Sequence, residues 1–177
     1  MPSLVEKIVV LHTALDAAEI PHAFGGALAL AWCTQRARGT IDIDVNVFLD
    51  RSRTTELLAA LPTGVGWSDD DRDRIERDGQ VRLWWEETPV DVFVNTTDFH
   101  EQLEGRHRTE PFAGRELPFL SCTDLAVFKA FFDRTKDWAD LEEMAAAGTL
   151  DVDRVAGILV HYLGADDPRL DRLRALR

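Results

Sequence analysis

The sequence predicts an α+β fold, with strands and helices interleaved over residues 1–120 and helices alone over 121–177. Three observations carry this. Residues 40–49 alternate strictly: Ile41, Ile43, Val45 and Val47 fall on one side, Thr40, Asp42, Asp44 and Asn46 on the other, as in a strand with one buried face. Val90, Val92 and Val94 alternate in the same way against Asp91, Phe93 and Asn95. From 124 to 147 the apolar residues recur at helical spacing instead.

The elements follow in order. Leu4, Ile8, Leu11 and Leu15 line one side of a helix over 3–19, with Ser3 and Glu6 as a capping box and Pro21 closing it. A short strand, His22–Phe24, leads into Gly25 and Gly26, which open a helix over 27–35 ahead of the acidic strand 40–49. Helix is expected again over 53–61, stopped by Pro62 and Gly64. The run SDDDRDRIERDGQ reads as a solvated turn region with a hairpin at Asp78 and Gly79, followed by strands over 80–86 and 90–95. Trp84 and Trp85 point to opposite faces of the first of these, one into the core and one outward. Residues 99–120 read as irregular around Pro111, Gly114 and Pro118, with one short extended piece at LPFLS. One long helix over 124–147 ends at Gly148, a last one covers 152–163, and a basic C-terminal turn follows.

Composition bounds the function. A chain of 177 residues with 45% hydrophobic and 29% charged residues is an ordinary globular protein of about one domain, in which a core (1–120) and C-terminal helices packed on it (121–177) are expected to share one site. A net charge of −12 works against any broad nucleic-acid or acidic-membrane surface. No apolar run reaches the length of a bilayer span, and the N-terminus lacks the basic lead of a signal peptide. Cys33 and Cys122 lie far apart in no metal-type spacing, which fits two separate thiols in a reducing compartment, the cytoplasm. The five histidines show no ligand spacing.

The chemistry concentrates at 24–48. Asp42 and Asp44 point the same way with α-carbons about 7 Å apart, so both carboxylates can reach cations between them. If the strand bearing Asp91 pairs beside them with matching faces, three carboxylates share a site. Gly25 and Gly26, ahead of a helix N-terminus, either let a phosphate approach the backbone or form a simple helix-opening turn. In the long helix, at about 100° per residue, Lys129, Asp133, Lys136, Asp137 and Asp140 fall in one arc edged by Phe128 and Phe132. That arc faces either a wet pocket or open solvent.

This ordered set, Gly25, Gly26, Arg38, Thr40, Asp42, Asp44 and Asp91, resembles the polymerase-β-type nucleotidyltransferase superfamily. FKAFFDRTKDWADLEEM resembles the K-x4-R-x-K-D-x2-D helix of the group that includes the AbiEii-type toxin nucleotidyltransferases. The commonest superfamily form has Gly-Ser where this chain has Gly25-Gly26, which leaves backbone amides and Thr40 as phosphate contacts. The resemblance implies a polymerase-β-like mixed sheet flanked by helices, with a C-terminal helical segment. It also implies transfer of a nucleoside monophosphate from a triphosphate such as ATP to an acceptor hydroxyl. Two magnesium ions would sit on Asp42, Asp44 and Asp91, with Asp91 also able to take the acceptor's proton. Gly25, Gly26, Arg38, Thr40, Lys129 and Lys136 would bind the nucleotide, and Asp137 and Asp140 would position the lysines or meet the base or acceptor. The toxin-related group implies tRNA or protein as acceptor and a cognate antitoxin as partner. Lincosamide- and aminoglycoside-type transferases imply a small molecule. A non-catalytic nucleotide- or metal-binding regulator is the third expectation.

Overall fold

The structure, a computed structural model, describes all 177 residues. They form two compact units, one of Met1–Leu28 and Gly39–Leu120, the other of Ala29–Arg38 and Ser121–Arg177.

The first unit is built on a seven-stranded mixed sheet. Helix α1 (Leu4–Ala17) begins at the expected Ser3–Glu6 capping box and buries Ile8, Leu11 and Leu15. Strand β1 (His22–Phe24) follows, then the start of helix α2 (Gly26–Thr34), which continues into the second unit. Next come β2 (Ile43–Asp50), a short 3-10 turn, α3 (Thr54–Ala60) and β3 (Val65–Gly66). Helix α4 (Asp69–Asp78), β4 (Gln80–Trp85), β5 (Thr88–Asn95), a one-turn helix α5 (Asp98–Glu101), β6 (Arg108–Phe112) and β7 (Arg115–Phe119) complete the unit. The sheet order is β3-β4-β5-β2-β1-β7-β6, with β2·β5 and β1·β7 parallel and the other neighbours antiparallel.

Four sequence expectations need correction in this unit. The acidic strand starts at Ile43 rather than at residue 40, because pairing with β5 begins at Ile43↔Val90 and with β1 only at Val45. Ile41, expected on the buried side, is 79% exposed. The charged run 68–80 is not a turn region. Ser68 and Asp71 form a capping box, three aspartates complement the positive helix start, Ile75 anchors the helix, and Gly79 ends it in the left-handed conformation at φ 71°. The hairpin turn follows at Glu86-Glu87, eight residues later than Asp78. Residues 108–119 are a hairpin rather than irregular chain. Ala113 and Gly114, at φ 50° and 77°, supply the two-residue turn that matches strand twist.

The second unit packs α6 (Cys122–Phe132), α7 (Thr135–Ala146), α8 (Val152–Leu163) and α9 (Pro168–Arg174) with the rest of α2. The helix expected over 124–147 is broken, and the C-terminal turn is a helix begun by Asp167 and Pro168. Asp133 ends α6 at φ 57°, and its carboxylate accepts a 2.6 Å hydrogen bond from the Trp138 indole, which fixes the break. Trp138 is 1% exposed, with the Arg172 guanidinium 4.3 Å from its ring centre. Cys33 and Cys122, expected as separate thiols, are joined in a disulfide with α-carbons 5.6 Å apart. Their separation of 89 residues hid a proximity that only the packing of α2 and α6 creates.

A histidine pair lies behind the sheet's N-terminal strand. The Ile20 carbonyl can only accept, so His22 donates from Nδ1 over 2.8 Å, and its Nε2 accepts from His12 Nδ1 over 2.9 Å. Burial pushes His22 down to about 4, against the Ile20 bond, with the neighbouring His12 lowering it further. Its folded value lies below its unfolded value of 6.5, so the neutral ring's contribution is whole above pH 6.5 and lost as pH falls toward 4. The loss amounts to at most about 3 kcal/mol. Urea unfolding at pH 7 and pH 4.5 should show a smaller acid-induced drop in midpoint for His22→Phe than for the wild type. Equal drops would remove His22 as the cause.

Candidate functional site

Three neighbouring strands of the first unit turn charged side chains to one face of the sheet. In β2, Ile43, Val45 and Val47 are buried on one side, which leaves Asp44 and Asn46 on the other. In β5, Val90, Val92 and Val94 are buried and Asp91 faces the opposite way, and in β4 Val81, Leu83 and Trp85 are buried while Arg82 and Trp84 are exposed. The register decides what meets. Asp44 is the parallel partner of Asp91, and Arg82 is the antiparallel partner of Asp91, so all three share a face on strands about 4.8 Å apart. The pairing expected of Asp91 with the acidic strand is therefore present.

The carboxylates have distinct environments. Asp91 accepts a two-pronged bond from Arg82, Nε to Oδ1 at 2.8 Å and Nη2 to Oδ2 at 2.6 Å. That bond, then the charge of Asp91, and then the charges of Asp42 and Asp44 raise the Arg82 guanidinium above its ordinary value. Asp42 lies in the bend just ahead of β2, where the Thr40 hydroxyl donates to its Oδ1 and accepts from its backbone N–H at 3.3 Å. Thr40, expected at a phosphate, is thus turned to Asp42.

Asp44 lies against the double glycine. A β-carbon on Gly26 would stand 1.9 Å from Asp44 Oδ2, and one on Gly25 would stand 2.9 Å from the Asn46 side-chain nitrogen. Gly26 also holds φ 51°. The glycines are there because the acidic strand leaves no room for a side chain. The Gly25 amide donates to the Asp44 carbonyl at 2.9 Å, so it is spent on the sheet rather than on a phosphate. The other backbone donors of this turn are the first amides of α2, which have no partner within their own helix.

Arg38, Lys129, Asp137 and Asp140, expected as nucleotide contacts, form an ionic network inside the second unit. Lys129, 7% exposed, donates to Asp140 at 2.5 Å and stands 3.7 Å from Asp137. Arg38 pairs with the same Asp140, and Arg134 grips Asp137 at 2.6 and 3.1 Å. The hydrogen bond to Asp140, and then its charge, raise the Arg38 guanidinium. The break at Asp133 divides the expected stripe between two helices. Buried charges at the break are held by their opposites, and Lys136 alone of the two lysines is exposed.

Sequence reasoning missed Arg82. Its signal was the alternation of QVRLWW, which sets Arg82 and Trp84 together on the polar side of β4. As ligands for magnesium, Asp42, Asp44 and Asp91 are of the right kind, hard oxygens, Asp44 and Asp91 from one face and Asp42 from the bend ahead of β2. They do not converge as a ready-made set: no group of three or more His, Cys, Asp or Glu side chains is placed to hold a metal, and Asp91 is turned to Arg82. Asp42 and Asp44 are carboxylates of the kind magnesium takes, Asp42 with Oδ1 bonded to Thr40, and Asp91 would join them only by parting from the guanidinium.

No protein-family model matches the sequence, and no curated protein matches it. Solved structures share its fold. The solution structure of the antibiotic-resistance factor ANT(2'')-Ia aligns with TM-score 0.63 and 18% identity over 89% of this chain and 92% of that one. A crystal structure of ANT(2'')-Ia in complex with adenylyl-2''-tobramycin gives 0.58 and 18%, over 97% and 94%. The lincosamide antibiotic adenylyltransferase LnuA, lincomycin-bound, gives 0.55 and 13%, over 80% and 96%. The fold is therefore the mixed-sheet architecture found in these adenylyltransferases.

Gly26→Ala tests the close approach at the site. It should cost about 1–3 kcal/mol in urea unfolding, through left-handed strain and displacement of the Asp44 carboxylate. An unchanged midpoint would show that Asp44 does not press on this backbone.

Proposed function

We propose that the chain is a nucleotidyltransferase that moves a nucleoside monophosphate from a nucleoside triphosphate to an acceptor hydroxyl. The observation that carries this reading is the shared register of Asp44 and Asp91 on one face, with Gly26 closed against Asp44, in a fold common to adenylyltransferases. The acceptor oxygen forms a bond to the α-phosphorus as the bond to the bridging oxygen of pyrophosphate breaks. The hydroxyl proton passes to the Asp91 carboxylate, and pyrophosphate leaves with the electron pair.

Asp42 and Asp44, joined by Asp91, would hold the two magnesium ions, which neutralise phosphate charge and acidify the acceptor hydroxyl. The amides that open α2 orient the β and γ phosphates. The resemblance of its helix to the toxin-related group is what assigns Lys136, exposed and outside the Lys129 network, the role of cation for the leaving pyrophosphate. The network of Arg38, Lys129, Arg134, Asp137 and Asp140 acts as scaffold for that helix.

Two acceptor classes compete. A tRNA or protein acceptor, with an antitoxin partner, rests on the likeness of the lysine helix to the toxin-related group. A small cationic acceptor rests on the net charge of −12 and on the fold shared with a tobramycin-modifying and a lincomycin-binding enzyme. The charge favours the small cation, because a polyanion would approach against the field of the whole chain. No helix of the chain is long and apolar enough to cross a membrane.

Incubation with magnesium, each labelled triphosphate, and tobramycin, lincomycin, total tRNA or a protein lysate separates the acceptors by where label appears. Asp44→Ala should lower transfer by roughly 10²-fold or more with an unchanged circular-dichroism spectrum. Transfer that survives would remove Asp44 from the site. Binding of nucleotide with no transfer to any acceptor would make the chain a regulatory module instead. Lys136→Ala should weaken triphosphate binding about tenfold by calorimetry, the scale of one charge-assisted contact. Unchanged affinity would take Lys136 out of the proposed role.

A further inference from the structure

The mechanism above leaves unused one large aromatic side chain on the face of the carboxylates. Trp84 is 51% exposed, whereas its neighbour Trp85 is 6% exposed and lies in the core. A tryptophan left half in water on a regular strand forgoes the burial that drives folding. Its position is informative. Trp84 is two residues beyond Arg82 on β4, about 7 Å along the same face. Its partners across the sheet are Pro89 on β5 and Gly66 on β3, one without a backbone N–H and one without a side chain. Neither flank carries a polar side chain that would compete for the indole.

The direction along the strands matters as well. Ile43 pairs with Val90, so Pro89 and Trp84 lie toward the end of β2 that Asp42 precedes. Across the face the order is the double glycine beside β1, Asp44 on β2, Asp91 on β5, then Arg82 and Trp84 on β4. An in-line displacement places attacking and leaving oxygens on opposite sides of the phosphorus. With pyrophosphate toward the glycines and α2, the acceptor must arrive from the side of Asp91 and β4.

We propose that Trp84 is the positioning residue for the acceptor, a platform on which a small, hydroxylated, cationic ring lies so that one hydroxyl reaches Asp91. The proposal rests on the nucleotidyltransferase reading and specifies its acceptor side. Asp91 pairs with Arg82, and the charges of Asp42 and Asp44 also act on that guanidinium, so before any magnesium is bound a cation gains from the local charge as well as from the ring face. The nucleotide base does not use this platform, because it belongs with the triphosphate on the other side of Asp44.

Calorimetric titration of tobramycin, and separately of a non-hydrolysable ATP analogue with magnesium, into wild type, Trp84→Ala and Trp84→Phe tests this. Tobramycin affinity should fall about tenfold or more in Trp84→Ala and be largely kept in Trp84→Phe, with affinity for the ATP analogue unchanged in both. Equal tobramycin affinity in wild type and Trp84→Ala would overturn the proposal, as would absence of tobramycin binding to the wild type. A fall in ATP-analogue affinity in Trp84→Ala would overturn it too, by making the indole a base platform. If the wild type fails to bind the ATP analogue while tobramycin binding still depends on Trp84, the platform stands and the nucleotidyltransferase reading falls.

Discussion

The parallel pairing of β2 with β5 is the constraint on which the site depends. Because side chains alternate with a period of two, a slip of one residue would send Asp91 into the core and Val90 or Val92 to the charged face. The register is held by the buried side, where Ile43, Val45 and Val47 lie beside Val90 and Val92, all essentially without exposure. Burying such side chains contributes roughly 1.5–3 kcal/mol each, far more than any polar contact on the opposite face. The apolar face thus fixes the geometry of the acidic one. Lys7 adds a second fastening: its buried ammonium donates to the Trp85 carbonyl and the Thr88 hydroxyl at 2.9 Å each and pairs with Glu86, which fixes the β4–β5 turn against α1.

The two sets of charges obey different rules. The network around Lys129 is buried, and removing one member of a buried pair strands the other at a cost of about 3–5 kcal/mol. Charges of that kind hold a structure. The pair of Arg82 with Asp91 is of another kind, since it is reached by solvent, with the Arg82 side chain 53% and the Asp91 side chain 16% exposed. Most charges of the helix motif are of the first kind, paired with one another, and Arg82, with no place in any motif, is of the second.

Much of this was legible in the sequence, for reasons that differ by element. The capping box of α1, the alternation of β2 and β5 and the opposed directions of Trp84 and Trp85 depend on local chemistry and period, and they appear as expected. Helix α4 was hidden because Ile75 is its one buried residue, so no periodicity could reveal it, although Ser68, Asp71 and Gly79 carried its caps. The hairpin of β6 and β7 was hidden by Pro111 and Pro118, which read as breaks; Pro111 is on β6 at the sheet edge, where a missing N–H is tolerated, and Pro118 is on β7, which meets β1 only at Phe24↔Phe119. The break at Asp133 has no glycine or proline to announce it. The alternation of QVRLWW placed Arg82 on the polar side of β4 but not beside Asp91, and the cysteine pair could not be read at all, since both pairings depend on which distant segments fold side by side.

The double glycine illustrates how the same residues can be predicted for one reason and required for another. A bare backbone was expected because a phosphate must approach it. The structure shows a nearer claimant, the Asp44 carboxylate, whose oxygen occupies the space that a Gly26 side chain would need. The two demands are compatible. A carboxylate pressed against the start of α2 lies where the helix's positive end stabilises negative charge, and the same end is what a triphosphate would seek. Asp44 thus sits at the junction of strand and helix, against the backbone that opens α2. Serine in place of Gly26 would add a hydroxyl for phosphate but would put its β-carbon into Asp44, so with β2 this close the chain can have the second glycine or the hydroxyl, not both.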